Sequence, residues 1–397
     1  MIVECRSIRA ATSKWRQGMD NGIAIVGAGL GGLTLARVLQ VHGIAATVYE
    51  AEASSDARPQ GGMLDIHAHN GQRALEAAGL LDAFRRITHP GGEALRVLDR
   101  HAAVLYEEAD DGAGGRPEVP RGALRQLLLD ALPDATVRWG HKLIAAAPLG
   151  AGRHRLEFAN GASAETTLLV GADGAWSKVR PLLSRATPAY TGLMFLETWM
   201  SDSKRYRPAC AQAVGGGALF AVEPGRGILA HAEPGDVLHT YVQLQRPLAW
   251  VERLSDLDAR TSALRVASEF DGWSPALTAL ITDSQAEPVL RLIHALPVAH
   301  RWDRIAGATL LGDAAHLMIP SGEGANLAML DGAELAAAIA LHPGAPEAAL
   351  DTYEQAMFAR GAQEAAEALK LTDTMLGAGS PGTLLDFFRS HGSDRAG

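Results

Sequence analysis

The chain has 397 residues, 45 acidic against 36 basic side chains, a net charge of −9, and 47% hydrophobic and 20% charged residues. That length exceeds one hydrophobic core and predicts linked domains. The acidic balance excludes nucleic acid as the default partner, because phosphate binding wants a basic face. Two cysteines, Cys5 and Cys210, with no CxxC exclude a disulfide framework and a thiolate metal site and fit a reducing cytoplasm. No apolar run reaches the roughly 18 residues of a membrane helix, so no membrane partner is expected.

The first 18 residues carry Arg6, Arg9, Lys14 and Arg16 but lack the apolar segment of a signal peptide. Residues 1–20 therefore read as a disordered leader. Globular patterning begins at Gly22-Ile23-Ala24-Ile25-Val26, a buried parallel strand by its short apolar run. Leu33 to His42 has helical spacing closed by Gly43, and Ala46-Thr47-Val48-Tyr49 is a second strand, which completes a βαβ unit. Asp65 to Ala83 predicts a helix, Leu95 to Tyr106 strands, Asp110 to Pro117 a connection and Gly122 to Leu132 a helix, with strands running on to Val170. Residues 187–281 are rich in aromatics and predict a second domain built on a sheet. The chain returns to the first domain near Leu290 to Leu311, and residues 325–342 and 349–377 predict long helices from their Ala, Glu and Leu content.

Three motifs carry chemistry. In Gly27-Ala28-Gly29-Leu30-Gly31-Gly32, Gly27 permits a tight turn, Gly29 lets a pyrophosphate approach the backbone, and Gly32 lets the helix pack on the strand. The free N–H groups near Leu30 then face phosphate, and Glu50 ends the second strand, where a ribose hydroxyl needs a carboxylate. The second motif, Gly171-Ala172-Asp173-Gly174-Ala175-Trp176-Ser177-Lys178-Val179-Arg180, and the third, Gly312-Asp313-Ala314-Ala315-His316, each follow an apolar strand. Both place an aspartate at the carboxyl end of a strand, where open α/β sheets bind ligands. His316 reads as a hydrogen-bonded structural residue of its loop. No hydrolase constellation is discernible, and no residue is assigned to a metal.

The ordered set GxGxxG, GADGxxSxxR and GDAAH with a following proline resembles the FAD-dependent aromatic hydroxylases, the group A flavin monooxygenases, from about Asn21 to Arg360. The resemblance implies an α/β fold. A Rossmann-like FAD-binding domain (residues 21–77, 113–186 and 282–326) would be interleaved with a β-sheet substrate domain (78–112 and 187–281) and followed by a C-terminal helical segment (327–390) with a long helix. It implies FAD as cofactor, NAD(P)H as transient co-substrate and O2 as oxygen donor, one atom being inserted through a flavin C4a-hydroperoxide with no catalytic side chain. Within that family, Gly61-Gly62-Met63-Leu64-Asp65-Ile66-His67 resembles the GGTLDLH segment of the tetracycline-inactivating monooxygenases. Pro117-Glu118-Val119-Pro120-Arg121 with Leu124-Arg125 resembles their PEINRxxLR, Ala315-His316-Leu317-Met318 their AHLM, and Tyr353-Glu354-Gln355-Ala356-Met357-Phe358 their YEQQMF.

By this likeness Gly27, Gly29, Leu30, Gly32, Glu50, Arg58, Arg121, Asp173, Gly174 and Asp313 contact cofactor. So do Pro320, Gly324, Ala325 and Asn326 of a loop one residue shorter than the usual PFAGxGxN. His67, Glu197, Ala218, His239 and Tyr241 are the implied substrate contacts. Glu197 and Ala218 stand where those enzymes carry a glutamine and an arginine, and Tyr241 replaces a glycine. A polycyclic or phenolic substrate is implied, tetracycline-like or an aromatic polyketide in secondary-metabolite tailoring. A flavin oxidase, a halogenase and a ligand-sequestering protein are the alternatives, the halogenase disfavoured by the absence of WxWxIP. A monomer or weak homodimer is expected.

Overall fold

The computed structural model describes residues 22–57, 61–89, 92–110 and 115–393, so the 1–20 leader and Arg58 lie outside the described residues. Two units make up the fold. The first draws on residues up to 88, 119–188 and 296–366, and the second on 89–118, 189–295 and 367 onward.

At the centre of the first unit is a five-stranded parallel sheet in the spatial order Ala308–Leu310, Leu168–Gly171, Ile23–Val26, Ala46–Tyr49, Val137–Arg138. Ile23–Val26 and Leu168–Gly171 are buried at every position, as a sheet covered on both faces requires. An antiparallel three-stranded sheet, Leu143–Gly150, Arg153–Phe158 and Ser163–Thr166, belongs to the same unit. Residues 78–88, expected with the other domain, lie here because the helix Leu81–Arg85 buries Phe84 in this core. The helix expected over Asp65 to Ala83 is broken into a strand Met63–Asp65 and helices Gly71–Ala77 and Leu81–Arg85, the second starting at an Asn70 cap.

The helix Leu30–Val41 packs on the helix Glu323–Leu341, and the closeness of that crossing is set by glycine. A Cβ on Gly332 would lie 2.5 Å from Gly31 O, and one on Gly31 would lie 2.6 Å from Ala328 O. The two backbones touch, with no side chain between them. Among the described residues, Glu323–Leu341 is the one helix long and apolar enough to cross a membrane, contrary to the expectation from sequence. Most of it is buried inside this unit, and it is the core helix that the crossing requires.

In the second unit a seven-stranded sheet runs Val289–Ala295, Ala189–Met200, Val237–Gln245, Arg226–Glu233, Ala218–Glu223, Leu95–Leu98, Val104–Glu108. Residues 289–295 belong here and not with the dinucleotide unit, because they pair with Ala189–Met200. Alternation along Val237–Gln245 sends Leu238, Val242 and Leu244 into this unit's core and turns His239, Tyr241 and Gln243 to the opposite face. Within the sheet-based domain expected over residues 187–281, Leu248–Ser255, Ala259–Ala267 and Pro275–Thr282 are helices. Val251, Leu254, Val266, Leu277, Leu280 and Ile281 recur at helical spacing and back the sheet, and Asp258 caps the middle helix by accepting from Thr261 N. Pro346–Leu376 forms the expected long helix.

Gly332→Ala should destabilise the protein by roughly 1–3 kcal/mol, the usual cost of overpacking. A thermal midpoint equal to that of the parent would show that the backbone contact does not set the crossing.

Candidate functional site

The glycine loop is built as the fingerprint requires. Gly27 sits at φ +107°, and a Cβ there would lie 2.3 Å from Ala172 O; a Cβ on Gly32 would lie 2.2 Å from Gly27 O. Those two positions close the turn against the neighbouring strand end. Gly29 is exposed and a Cβ on it would meet nothing within 4 Å, so open space lies over the start of the helix. No side chain caps that helix, and no acidic residue lies in its first turn. Its first N–H groups and the positive end of its dipole are left for an anion.

Glu50 is placed beside this loop but is already engaged. Its Oε2 accepts from Ala28 N at 2.6 Å and its Oε1 from Glu52 N at 2.9 Å. Arg125 holds the other side of Ala28: buried, it donates to Ala28 O, Ser55 O and Glu52 Oε2, with its guanidinium 5.5 Å from the Trp139 ring centre. One carboxylate and one guanidinium thus fix the N–H and the C=O of the same loop residue.

The two aspartate motifs converge through Arg180. This arginine is 3% exposed and donates to Ala175 O at 2.8 Å, Ala314 O at 2.8 Å and Asp313 O at 3.2 Å, which locks the second motif to the third. Asp173 Oδ2 accepts from Lys178 N and Val179 N, while Oδ1 is buried without a hydrogen-bond partner. Burial pushes the Asp173 carboxyl above its ordinary value, partly offset by Ser177 and those N–H groups. Asp313 is exposed, yet its surroundings push its carboxyl up as well; burial is the main cause, and His316, Arg121 and Arg180 oppose it. Arg121 therefore lies within electrostatic reach of Asp313, while its N–H donates to Gly62 O at 3.0 Å.

Below the third motif, Asp331 is fully buried. Its Oδ2 accepts from Gly312 N at 3.0 Å and His316 Nε2 at 2.6 Å, and its Oδ1 from Arg360 at 2.7 Å. Both ends of the turn that presents Asp313 hang on this one carboxylate. Burial alone would raise Asp331 and lower His316, but each charge stabilises the other, so Asp331 falls below and His316 rises above its ordinary value.

Pro320 is exposed, and Gly324 lies near Asp313: a Cβ on it would be 4.0 Å from Asp313 Oδ1. Ala325 is half-buried in the first turn of the Glu323 helix, whose Gly322 cap has φ +91°. The side chain of Asn326, an expected cofactor residue, is fully buried in protein contacts. It accepts from His67 N at 3.0 Å and donates to Asp65 O at 2.9 Å and Gly322 O at 3.3 Å. His67, expected at substrate, is likewise engaged: Nδ1 lies 2.7 Å from Glu323 Oε1 and Nε2 2.8 Å from Asp65 Oδ2. Ionised carboxylates only accept, so a ring between two of them carries both protons. Burial alone would lower its pKa, but the hydrogen bonds to Asp65 and Glu323 carry it up to about 9.

In the second unit, Trp199 pairs with His239, Glu197 with Tyr241 and Phe195 with Gln243, all on one sheet face. Glu197 is ion-paired with Arg291 at 3.0 Å, which occupies the carboxylate expected to meet substrate. Ala218 is buried opposite His231 on the neighbouring strand and offers no polar side-chain atom. His239 is 3% exposed, stacks on Trp199 at 4.7 Å and lies 4.4 Å from the Tyr241 ring. Its Nδ1 is 2.9 Å from Glu233 Oε1, while its Nε2 is buried with no partner.

Arg180, Arg125 and Asp331 escaped assignment from sequence. The motif GADGxxSxxR contains Arg180 and the PEINRxxLR likeness contains Arg125, so a signal existed for those two. Nothing local marks Asp331. Taken together, phosphate-ready N–H groups, an unpartnered buried carboxylate oxygen and an exposed aspartate fit a dinucleotide carrying ribose or ribityl hydroxyls.

Comparison with known proteins agrees with that chemistry. Residues 20–368 match the family described as FAD binding domain. The monooxygenase penA of Penicillium thymicola is 31% identical over 79% of this chain and 83% of its own length. Among solved structures, HpxO of Klebsiella pneumoniae with FAD and uric acid superposes with a TM-score of 0.77 at 23% identity, covering 93% of this chain and 92% of that one. The tetracycline destructase Tet(51) gives 0.68 at 17% identity, covering 90% and 91%.

The Asp331–His316 pair sets a stability window. The contribution from His316 is complete below its ordinary value of 6.5 and is lost as pH rises through its elevated one. That from Asp331 is complete above its ordinary 3.8 and is lost as pH falls through its lowered one. Denaturant unfolding across pH should show both limbs. His316→Gln should remove the alkaline limb, and a profile unchanged by that substitution would refute the pairing.

Proposed function

The chain belongs to the FAD-binding-domain family of flavin-dependent monooxygenases, and on that premise we propose that it hydroxylates an aromatic or polycyclic secondary-metabolite substrate with NAD(P)H and O2 as co-substrates. Bound FAD supplies the oxygen-transfer chemistry. The protein supplies grip, orientation and exclusion of water. In this reading the Gly27–Gly32 turn gives its N–H groups, from Gly29 and Leu30 onward, to the pyrophosphate. Glu50 uses the accepting capacity left on its carboxylate for the adenosine ribose. Asp313 receives hydroxyls of the ribityl chain, with Arg121 beside it. Asp173 and Gly174 line the flavin side, and Pro320, Gly324 and Ala325 present backbone to the ring.

The observation that carries the substrate class is the face formed by Phe195, Trp199, His239 and Tyr241, with the partnerless Nε2 of His239 among the rings. Flat rings stack on such a face, and a buried ring nitrogen held by Glu233 selects a hydroxyl or carbonyl at their edge. Tetracycline hydroxylation is a second reading, supported by the GGMLDIH, PEVPR and YEQAMF segments. Against it stand the Glu197–Arg291 pair and the apolar Ala218, at positions where those enzymes use polar contacts.

Phenolic polyketides and tetracyclines should be incubated with the FAD-loaded protein, O2 and either NADH or NADPH, and products weighed by mass spectrometry. Gain of one oxygen by a phenolic compound, coupled to nicotinamide oxidation, is the expected result. Nicotinamide oxidation that yields only hydrogen peroxide with every compound would overturn the substrate class. Asp313→Ala should weaken FAD binding about tenfold or more, as loss of a charged hydrogen-bond acceptor does, measured by flavin fluorescence. His239→Ala should raise KM while leaving FAD affinity unchanged; a fall in FAD affinity instead would remove His239 from the substrate face.

A further inference from the structure

Between the strand Met63–Asp65 and the first turn of the Glu323 helix lies a cluster that the flavin chemistry does not use. His67, His69 and Glu323 bring one imidazole nitrogen each and a carboxylate oxygen within 4.8 Å of one another. We propose that this triad is a site for one borderline divalent cation of the zinc, nickel or copper type, held by Nδ1 of His67, the ring of His69 and Oε1 of Glu323.

Three features beyond proximity support it. Histidines that ligate metals usually donate their other ring N–H to a carboxylate, which fixes ring orientation and raises basicity. Asp65 does this here, with Oδ2 2.8 Å from His67 Nε2, which leaves Nδ1 directed at Glu323. Second, the other oxygen of Glu323 is held by Asn70 Nδ2 at 2.7 Å, which keeps Oε1 on the His67 side. Third, access is graded: His69 is exposed while His67 and Glu323 are half-buried, so an ion can enter from solvent and finish on fixed ligands. In the short 2.7 Å contact the Nδ1 proton of His67 is directed at Glu323 Oε1. An ion replaces that proton, which leaves to solvent, and the carboxylate and imidazole become its ligands.

Bonds of about 2.0–2.2 Å place donors roughly 3–4 Å apart, so the triad needs only a modest closure, supplied by the exposed His69 ring. Two imidazoles and one carboxylate favour zinc, nickel or copper over magnesium or calcium, which prefer all-oxygen shells. Three protein ligands leave positions for water. The bound ion would tie the turn at 67–69 to the first turn of the helix, two segments already stitched by Asn326.

The test uses the untagged, FAD-loaded protein after dialysis against a chelator. Titration calorimetry with Zn2+ should give one equivalent bound, and Mg2+ should give none. Cu2+ electron paramagnetic resonance should show splitting from two imidazole nitrogens, falling to one in His69→Ala. His69→Ala and Glu323→Gln should each weaken Zn2+ at least tenfold, whereas His101→Ala, an exposed histidine of the second unit, should leave it unchanged. His69 is exposed, so its variant tests the site even if a His67 variant fails to fold. No stoichiometric Zn2+ binding, binding unaffected by His69→Ala and Glu323→Gln, or a copper signal without nitrogen splitting would each overturn the proposal.

Discussion

Two helices meeting backbone to backbone at Gly31 and Gly332 are the constraint from which the dinucleotide unit is organised. Because no side chain separates them, the start of the Leu30 helix and the Glu323 helix are fixed relative to each other by main-chain van der Waals contact. The first helix begins at the glycine turn. The second begins beside Asp313 and carries Asp331 one turn after Asn326 and Ala328. Rigid placement of both is what allows the opening above Gly29, at the N–H groups of the first helix, to keep its shape.

The side chains around that opening divide the work in an instructive way. Few polar groups there are free. Glu50, Arg125, Arg180, Asn326 and Asp331 spend their hydrogen-bonding capacity on loop backbone, each spanning segments far apart in sequence. Buried polar groups are costly unless satisfied, and here their satisfaction is the means by which loops are ordered. What remains for a ligand is main-chain N–H groups, the exposed Asp313, one oxygen of Asp173 and the accepting capacity left on Glu50. Preorganisation of this kind lowers the entropy cost of binding a long flexible molecule.

Sequence reasoning reached the parts of this design whose rules are local. The glycine turn follows from φ and steric demands written in consecutive residues, the aspartates from their position after apolar strands, and the long helices from composition. It failed where meaning depends on a distant partner. The side chain of Asn326 is bound by Asp65 and His67, about 260 positions earlier, which no local motif shows. The partners of His67 and Glu197 were illegible for the same reason, each being paired with an oppositely charged group on another strand or helix. The reading of residues 187–281 as a sheet-based domain did not separate out the helices after Leu248, whose apolar residues recur at helical spacing.

The strand order also fixes when the flavin can be captured during synthesis. The central strand Ile23–Val26 waits for Leu168–Gly171, that strand waits for Ala308–Leu310, and the glycine turn gains its covering helix only once residue 341 has been made. A nascent chain that has emerged through residue 295 holds the complete fingerprint but lacks the strand Ala308–Leu310 and the Glu323 helix. Such long-range pairing is slow to form and leaves apolar strands uncovered in the interval. Completion of the dinucleotide unit is therefore a late event in the life of this polypeptide.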